Sequence, residues 1–137
     1  MRVAIAAIAK NEALYLREWL AYHVLLGISD FIIYDNESTD DTSVILREAQ
    51  NCKIITRTWD TVEGSSPQIS AYNDIVKKYS SFYDFCFFID IDEFLLPTAD
   101  LNITTILSQL SSEVARLELI NGFLAPPALL TMTREWS

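Results

Sequence analysis

Cations are scarce in this 137-residue chain, with ten lysines and arginines against nineteen aspartates and glutamates and a net charge of −9. Nucleic-acid binders carry a basic stripe or patch. The only adjacent basic pair here is Lys77-Lys78, which reads as a solvated helix face, so no nucleic-acid partner is expected. Cysteine is equally sparse: Cys52 and Cys86 stand alone, with no Cys-x-x-Cys pair and no zinc-like spacing, and read as free thiols in two strands. The chain has only three glycines and lacks both Gly-x-Gly-x-x-Gly and Gly-Lys-Ser/Thr, which argues against a dinucleotide fingerprint and a P-loop. A Gly-x-Ser-x-Gly elbow is absent too, which argues against a serine hydrolase. Histidine occurs once, at position 23, inside a helical stretch, and reads as a packed or surface helix residue. No apolar run reaches the roughly 20 residues that span a bilayer. The opening MRVAIAAIAKNE is short for a signal sequence and reads as a first strand. A reducing, cytoplasmic setting is expected, or one peripheral to a membrane through partners.

Half of the residues are hydrophobic and 21% are charged, a globular composition with enough apolar side chains for a core without disulfides. Short apolar runs alternate with amphipathic stretches. Strands are expected at 3–8, 30–36, 52–59, 84–92 and 114–120. Helices are expected at 13–26, from Thr39 or Asp40 onward, at 68–79 and at 103–110. Asn11 is placed to cap the first helix, and Gly27 suits the left-handed position that ends it. Ser38 and Asp41 have capping-box-like spacing for the second helix. Gly64 to Pro67 supply turn chemistry before the third. This order predicts one α/β domain over residues 1–125 with a mostly parallel sheet flanked by helices. Residues 126–137, beginning at Pro126-Pro127, form a tail without a strong period.

The strand ends carry the polar chemistry: Lys10-Asn11-Glu12, Asp35-Asn36-Glu37, Asp60, and Asp90-Ile91-Asp92-Glu93. Ligands of open α/β sheets bind at those ends, so these groups are expected to converge. Read as one strand through 92, Asp90 and Asp92 share a face about 7 Å apart, and Glu93 points the other way. Two carboxylates so placed suit a partial shell for Mg²⁺ or Mn²⁺, which keep waters and substrate phosphates as remaining ligands. The same acids could instead solubilise a loop or cap a turn. Asp35 could accept from the N–H of a base or a ribose hydroxyl. Asp40 and Asp41 suit the positive end of the second helix and leave no room there for a phosphate.

Taken together, AKNEALYLREWLAYHVLLGISDFIIYDNESTDDT and FFIDIDEFLLP resemble the family 2-like glycosyltransferases and the related family 92 proteins of the GT-A (Rossmann-like) fold, over roughly residues 3–97. The resemblance implies a nucleotide-sugar donor, commonly UDP-linked, a divalent Mn²⁺ or Mg²⁺, and a glycan or other acceptor. It implies that Asn11 and Glu12 line the nucleotide pocket, that Asp35 contacts the base, and that Gln68, Tyr72 and Asn73 line the pocket from the third helix. Asp90 would face the ribose or the metal, and Asp92 would be the main metal ligand. It does not supply a general base, because Glu118 and Glu135 stand in no motif, and the later histidine that ligates the metal in many such enzymes has no counterpart after His23. The chain therefore reads as a metal-dependent glycosyltransferase or its donor-binding half. Two alternatives stand beside it. One is a GT-A-like domain without catalysis. The other is a haloacid-dehalogenase-like phosphatase with Asp90 as nucleophile, which would need a lysine after the motif, whereas the last lysine is Lys78.

Overall fold

Four short strands line up side by side as parallel neighbours, and a helix fills each connection from one to the next in the chain. The computed structural model describes residues 1–97, 102–108 and 130–134. In chain order they form β1 (Val3–Ala9), α1 (Ala13–Leu25), β2 (Asp30–Asp35), α2 (Thr42–Glu48), β3 (Lys53–Thr58) and α3 (Pro67–Tyr79). A 3₁₀ turn at Ser80–Phe82 precedes β4 (Phe85–Phe88), β5 (Glu93–Pro97), α4 (Ile103–Ser108) and β6 (Leu130–Arg134). The main sheet has the order β3-β2-β1-β4 with every pairing parallel. β5 and β6 form a separate antiparallel pair. The expected α/β architecture is present, and its strand-to-helix order matches the sequence reading through β4, whereas β5 was not expected. The expected strand at 114–120 and the Pro126-Pro127 boundary lie outside the described residues. Residues 130–134, within the stretch read as a tail, pair with β5.

Side chains alternate across the sheet, as a period of two requires. Ile5, Ala7 and Ala9 of β1 and Phe31 and Ile33 of β2 face Leu16, Trp19 and Leu20 of α1 and Ile45 and Leu46 of α2. Ala4, Ala6, Ile32 and Tyr34 face Ala71 and Ile75 of α3. The alanines on that face let α3 lie close to β1. Polar contacts pin α3 further. The Tyr34 hydroxyl donates to Asp74 at 2.6 Å, and Asp74 also meets Lys78 at 3.1 Å and Arg57 at 3.6 Å. Ser66 caps α3 by accepting the Ile69 N–H at 3.3 Å, with Pro67 in the first turn.

The two cysteines are free and half-buried. Burial raises the Cys52 thiol and pushes Cys86 up to about 12, so both are inert at neutral pH. Cys86 lies on β4, but Cys52 stands just before β3 rather than inside it.

Gly27 ends α1 with φ +103°, and a Cβ built there would come within 2.5–2.9 Å of the Asn102 side chain. Gly27→Ala is therefore expected to cost about 1–3 kcal/mol, from backbone strain and the displacement of Asn102. A drop in the urea midpoint at unchanged slope would register it; an unchanged midpoint would refute it.

Two expected caps form differently. Asn11 does not cap α1: it takes φ +54°, and its side-chain oxygen accepts the backbone N–H of Thr39 at 2.7 Å and of Asp40 at 3.3 Å. The Ser38–Asp41 box does not form either. Ser38 Oγ accepts the Asn11 N–H at 3.0 Å, and α2 starts at Thr42, later than expected. The two loops cap each other. The Glu12 N–H donates to Thr42 Oγ1 at 2.9 Å and the Ala13 N–H to Asp40 Oδ2 at 3.1 Å. Local spacing cannot reveal such a reciprocal latch, because every partner is 27 or more residues away. The Thr42 hydroxyl is the foremost of the hydrogen bonds that hold the Asp40 carboxyl below its usual range.

The strand expected over 84–92 is shorter. β4 ends at Phe88, and Asp90 to Glu93 make a turn before β5 begins. The Glu93 N–H donates to the Asp90 carbonyl at 3.0 Å, and the Asp90 N–H donates to Glu93 Oε2 at 2.9 Å. Asp90 and Asp92 therefore do not alternate along a strand. Glu93 does not point away either; its carboxylate turns back on the Asp90 N–H. Polar backbone groups leaving the ladder need partners, and this acidic segment supplies its own.

Candidate functional site

A cleft of about 290 Å³ opens where β1 and β2 end and β4 gives way to the acidic turn, with the first residues of α3 along one side. Ile8, Ala9, Pro67 and Ile91 give it apolar walls. Glu12, Gln68, Asp90 and Asp92 bring it polar groups. All four were legible as site candidates in the sequence. Gln68 Nε2 donates to Asp90 Oδ1 and to the Tyr72 hydroxyl, both at 3.3 Å. Tyr72 packs on Phe88 with ring centroids 4.8 Å apart, and burial pushes its hydroxyl up to about 12, so it stays protonated.

The carboxylates feel one another. Burial foremost, and then the negative charges of Asp92, Asp90 and Asp40, raise the Glu12 carboxyl above its ordinary value. Like charges crowded in a concave site disfavour ionisation, and a cation would relieve the crowding. No group of three His, Cys, Asp or Glu side chains converges as a ready chelate among the described residues.

Four sequence candidates lie outside the cleft lining, Asn11, Asp35, Tyr72 and Asn73, and Tyr72 meets it only through Gln68. Asn11 serves the loop latch. Asp35 is nearly buried, at 8% exposure, and its Oδ1 accepts the Ser38 N–H at 3.1 Å. Asn73 is exposed on α3. Two residues not singled out do line the cleft, Lys10 and Asn36. Both sit in the polar strand ends, which was the available signal. Asn36 is held by donating from Nδ2 to the Trp59 carbonyl at 2.9 Å and to Thr61 Oγ1 at 3.0 Å. Asp60 is exposed and outside the lining, so the third strand end does not contribute. His23 is fully buried and far from this chemistry in role, packed against Trp19, Tyr22 and Phe94.

A larger hollow, about 480 Å³, lies between α1 and α2 and is bordered by Leu20, Val24, Leu25 and Ile45. None of the strand-end acids reaches it. The smaller acidic cleft is the candidate site because it occupies the carboxyl edge of a parallel sheet, where α/β proteins bind ligands.

Fold and cleft together define an α/β domain with an acidic cleft at its strand ends. The sequence pattern of glycosyltransferase family 92 matches residues 2–119, and the chain belongs to that family. A family 92 protein of Ricinus communis is 29% identical over 99 residues, 70% of this chain and 17% of its own length. One of Oryza sativa subsp. japonica is 30% identical over 95 residues, covering 68% of this chain and 16% of the relative. One of Arabidopsis thaliana is 29% identical over 86 residues, 61% and 14% of the two chains. The chain thus spans about a sixth of the length of the curated relatives it matches. Among the described residues no helix is long and apolar enough to cross a membrane.

Proposed function

We propose that the cleft binds the diphosphate of a nucleotide-sugar, UDP-linked, and that this chain is the donor-binding part of a metal-dependent glycosyltransferase of the GT-A kind. The observation that carries the reading is the convergence of Glu12, Gln68, Asp90 and Asp92 on one cleft at the strand ends, in a chain of family 92. Asp92 and Asp90 are the residues that would hold Mn²⁺ or Mg²⁺, which when bound offsets charge on the departing nucleoside diphosphate. Crowded carboxylates with a single lining cation, Lys10, suit a diphosphate only with such a counter-charge. Gln68 steadies Asp90 from α3. The apolar walls, Ile8 and Pro67 among them, offer a dry surface to a base. An acceptor hydroxyl, glycan or other, would attack the anomeric carbon as the sugar–phosphate bond breaks. No described residue is assigned as general base.

The test is calorimetry with UDP and UDP-sugars, with and without Mn²⁺. Binding that requires Mn²⁺ and falls roughly tenfold or more in Asp92→Ala is expected, the loss of one metal ligand. A folded protein that binds no nucleotide under either condition would refute the reading and leave a domain with the fold but not the ligand. Phosphatase activity on an aryl phosphate, lost in Asp90→Asn, would replace it with phosphoryl transfer.

A further inference from the structure

We infer that Glu93 is a positioning residue: its carboxylate closes the acidic turn from behind and thereby sets where Asp90 and Asp92 stand in the cleft. This inference rests on the donor-binding reading of that cleft. Three acids fall within four positions, yet only Asp90 and Asp92 line the cleft. Glu93 is 8% exposed and lies outside the lining. Its Oε2 accepts the Asp90 N–H at 2.9 Å while its own N–H donates to the Asp90 carbonyl at 3.0 Å. Two hydrogen bonds between the same pair of residues make a closed ring, and Ile91 inside it is anchored in the core at 1% exposure.

The ring is fixed on both sides. The Trp19 indole N–H donates to the Glu93 carbonyl at 2.8 Å, which ties the turn to the buried face of α1. Gln68 reaches Asp90 from the cleft side at 3.3 Å. Placing a third carboxylate in a nearly buried position beside two others is electrostatically costly. A charged acceptor on a backbone N–H gives a shorter, stronger bond than a neutral one, and that bond is what the geometry returns. Asp90 is thereby held at its backbone by Glu93 and at its side chain by Gln68. Glu93 thus acts through the turn and not on the ligand.

The experiment compares Glu93→Gln with Glu93→Ala and, as a bulkier variant without an acceptor, Glu93→Met. Two readouts are taken on the same chain: amide hydrogen exchange at Asp90 and Asp92 by NMR, and UDP affinity with Mn²⁺ by calorimetry. Ala and Met are expected to speed exchange at Asp90 about tenfold or more while the β1 amides keep their protection. They should weaken UDP binding about tenfold, the scale of losing a group that orients a ligating residue. Gln keeps an oxygen for the Asp90 N–H and should stay within about threefold of the parent on both readouts. Lost affinity in Gln with Asp90 protection intact would mean that Glu93 itself meets the ligand and would overturn the inference. So would unchanged Asp90 exchange in both Ala and Met. If the parent chain binds no UDP, the donor-binding reading fails by itself, and the exchange arm still decides whether Glu93 closes the turn.

Discussion

Trp19→Ala is expected to lose about 4 kcal/mol of stability, the range seen when a fully buried aromatic is truncated and its cavity left open. Whole domains of this size hold only about 5–15 kcal/mol, so the variant should sit near its unfolding threshold at room temperature. Trp19 has no exposed surface. Its ring lies 4.7 Å from His23 and 5.6 Å from Phe31, centroid to centroid, so it fills the space between α1 and β2. Its N–H also reaches the Glu93 carbonyl. Trp19→Phe separates the two contributions. It keeps most of the apolar volume but removes the indole N–H that donates to that carbonyl, a loss of about 1–3 kcal/mol. Urea unfolding followed by circular dichroism gives both numbers. If Phe cost as much as Ala, the hydrogen bond to Glu93 would dominate over packing. If neither variant moved the midpoint, the assignment of Trp19 as a keystone of the α1–β5 contact would be wrong.

Trp19 is one of three α1 side chains that grip β5. Tyr22 donates its hydroxyl to the Leu95 carbonyl, and His23 Nε2 accepts the Leu95 N–H at 3.3 Å. On its other edge β5 pairs with β6. Side chains of a helix thus replace a neighbouring strand, and they do so directly behind the acidic turn. The route from sequence to site is therefore short. The helical spacing of Trp19, Tyr22 and His23 places them on one face of α1, that face fixes β5, and β5 fixes the turn that presents Asp90 and Asp92.

Helical and strand periods gave away most of the α/β framework, because they record which side chains are buried. Trp19, Leu16 and Leu20 face the sheet as their spacing predicts. The same signal misleads at residues 89–92. Ile89 and Ile91 are each 1% exposed, so the alternation continues as if the strand did, although β4 ends at Phe88 and the backbone leaves the ladder once the Ile89 N–H has met the Ala6 carbonyl at 3.2 Å. Burial and backbone pairing are separate properties, and periodicity reads only the first. The cleft was legible at Glu12, Asp90 and Asp92 because polar groups at the strand ends of a parallel sheet lie along one edge, whereas Gln68, in the first turn of α3, was expected only from the family resemblance. Asn11 was misread as a helix cap because its partners, Thr39 and Asp40, are distant in sequence. Asn73 falls on the exposed face of α3, a matter of helical phase that a weak motif match does not settle.

Acid should destabilise the domain through His23, before most surface carboxylates titrate. His23 is fully buried. Its Nδ1–H donates to the Trp19 carbonyl at 2.8 Å, and Nε2 accepts from Leu95. The ring is edge-on to Trp19 and Tyr22 and stacked on Phe94 at 5.8 Å. Both nitrogens are committed in the neutral form, and a second ring proton would meet the Leu95 N–H head-on. Burial accordingly lowers its pKa from 6.5 to about 4. The unfolded chain takes up this proton near pH 6.5 and the folded chain only near 4, so the unfolded state binds more protons throughout that window. Stability is then full above about pH 6.5 and declines as pH falls toward 4, by on the order of 3 kcal/mol in all. His23→Gln does not titrate. It should be less stable than the parent at pH 7, having imperfect geometry for two buried hydrogen bonds, yet lose less on acidification, so that the two stability curves converge toward pH 4. Urea midpoints at pH 7, 6, 5 and 4.5 for both proteins test this; parallel curves would show that His23 takes up its proton as readily folded as unfolded.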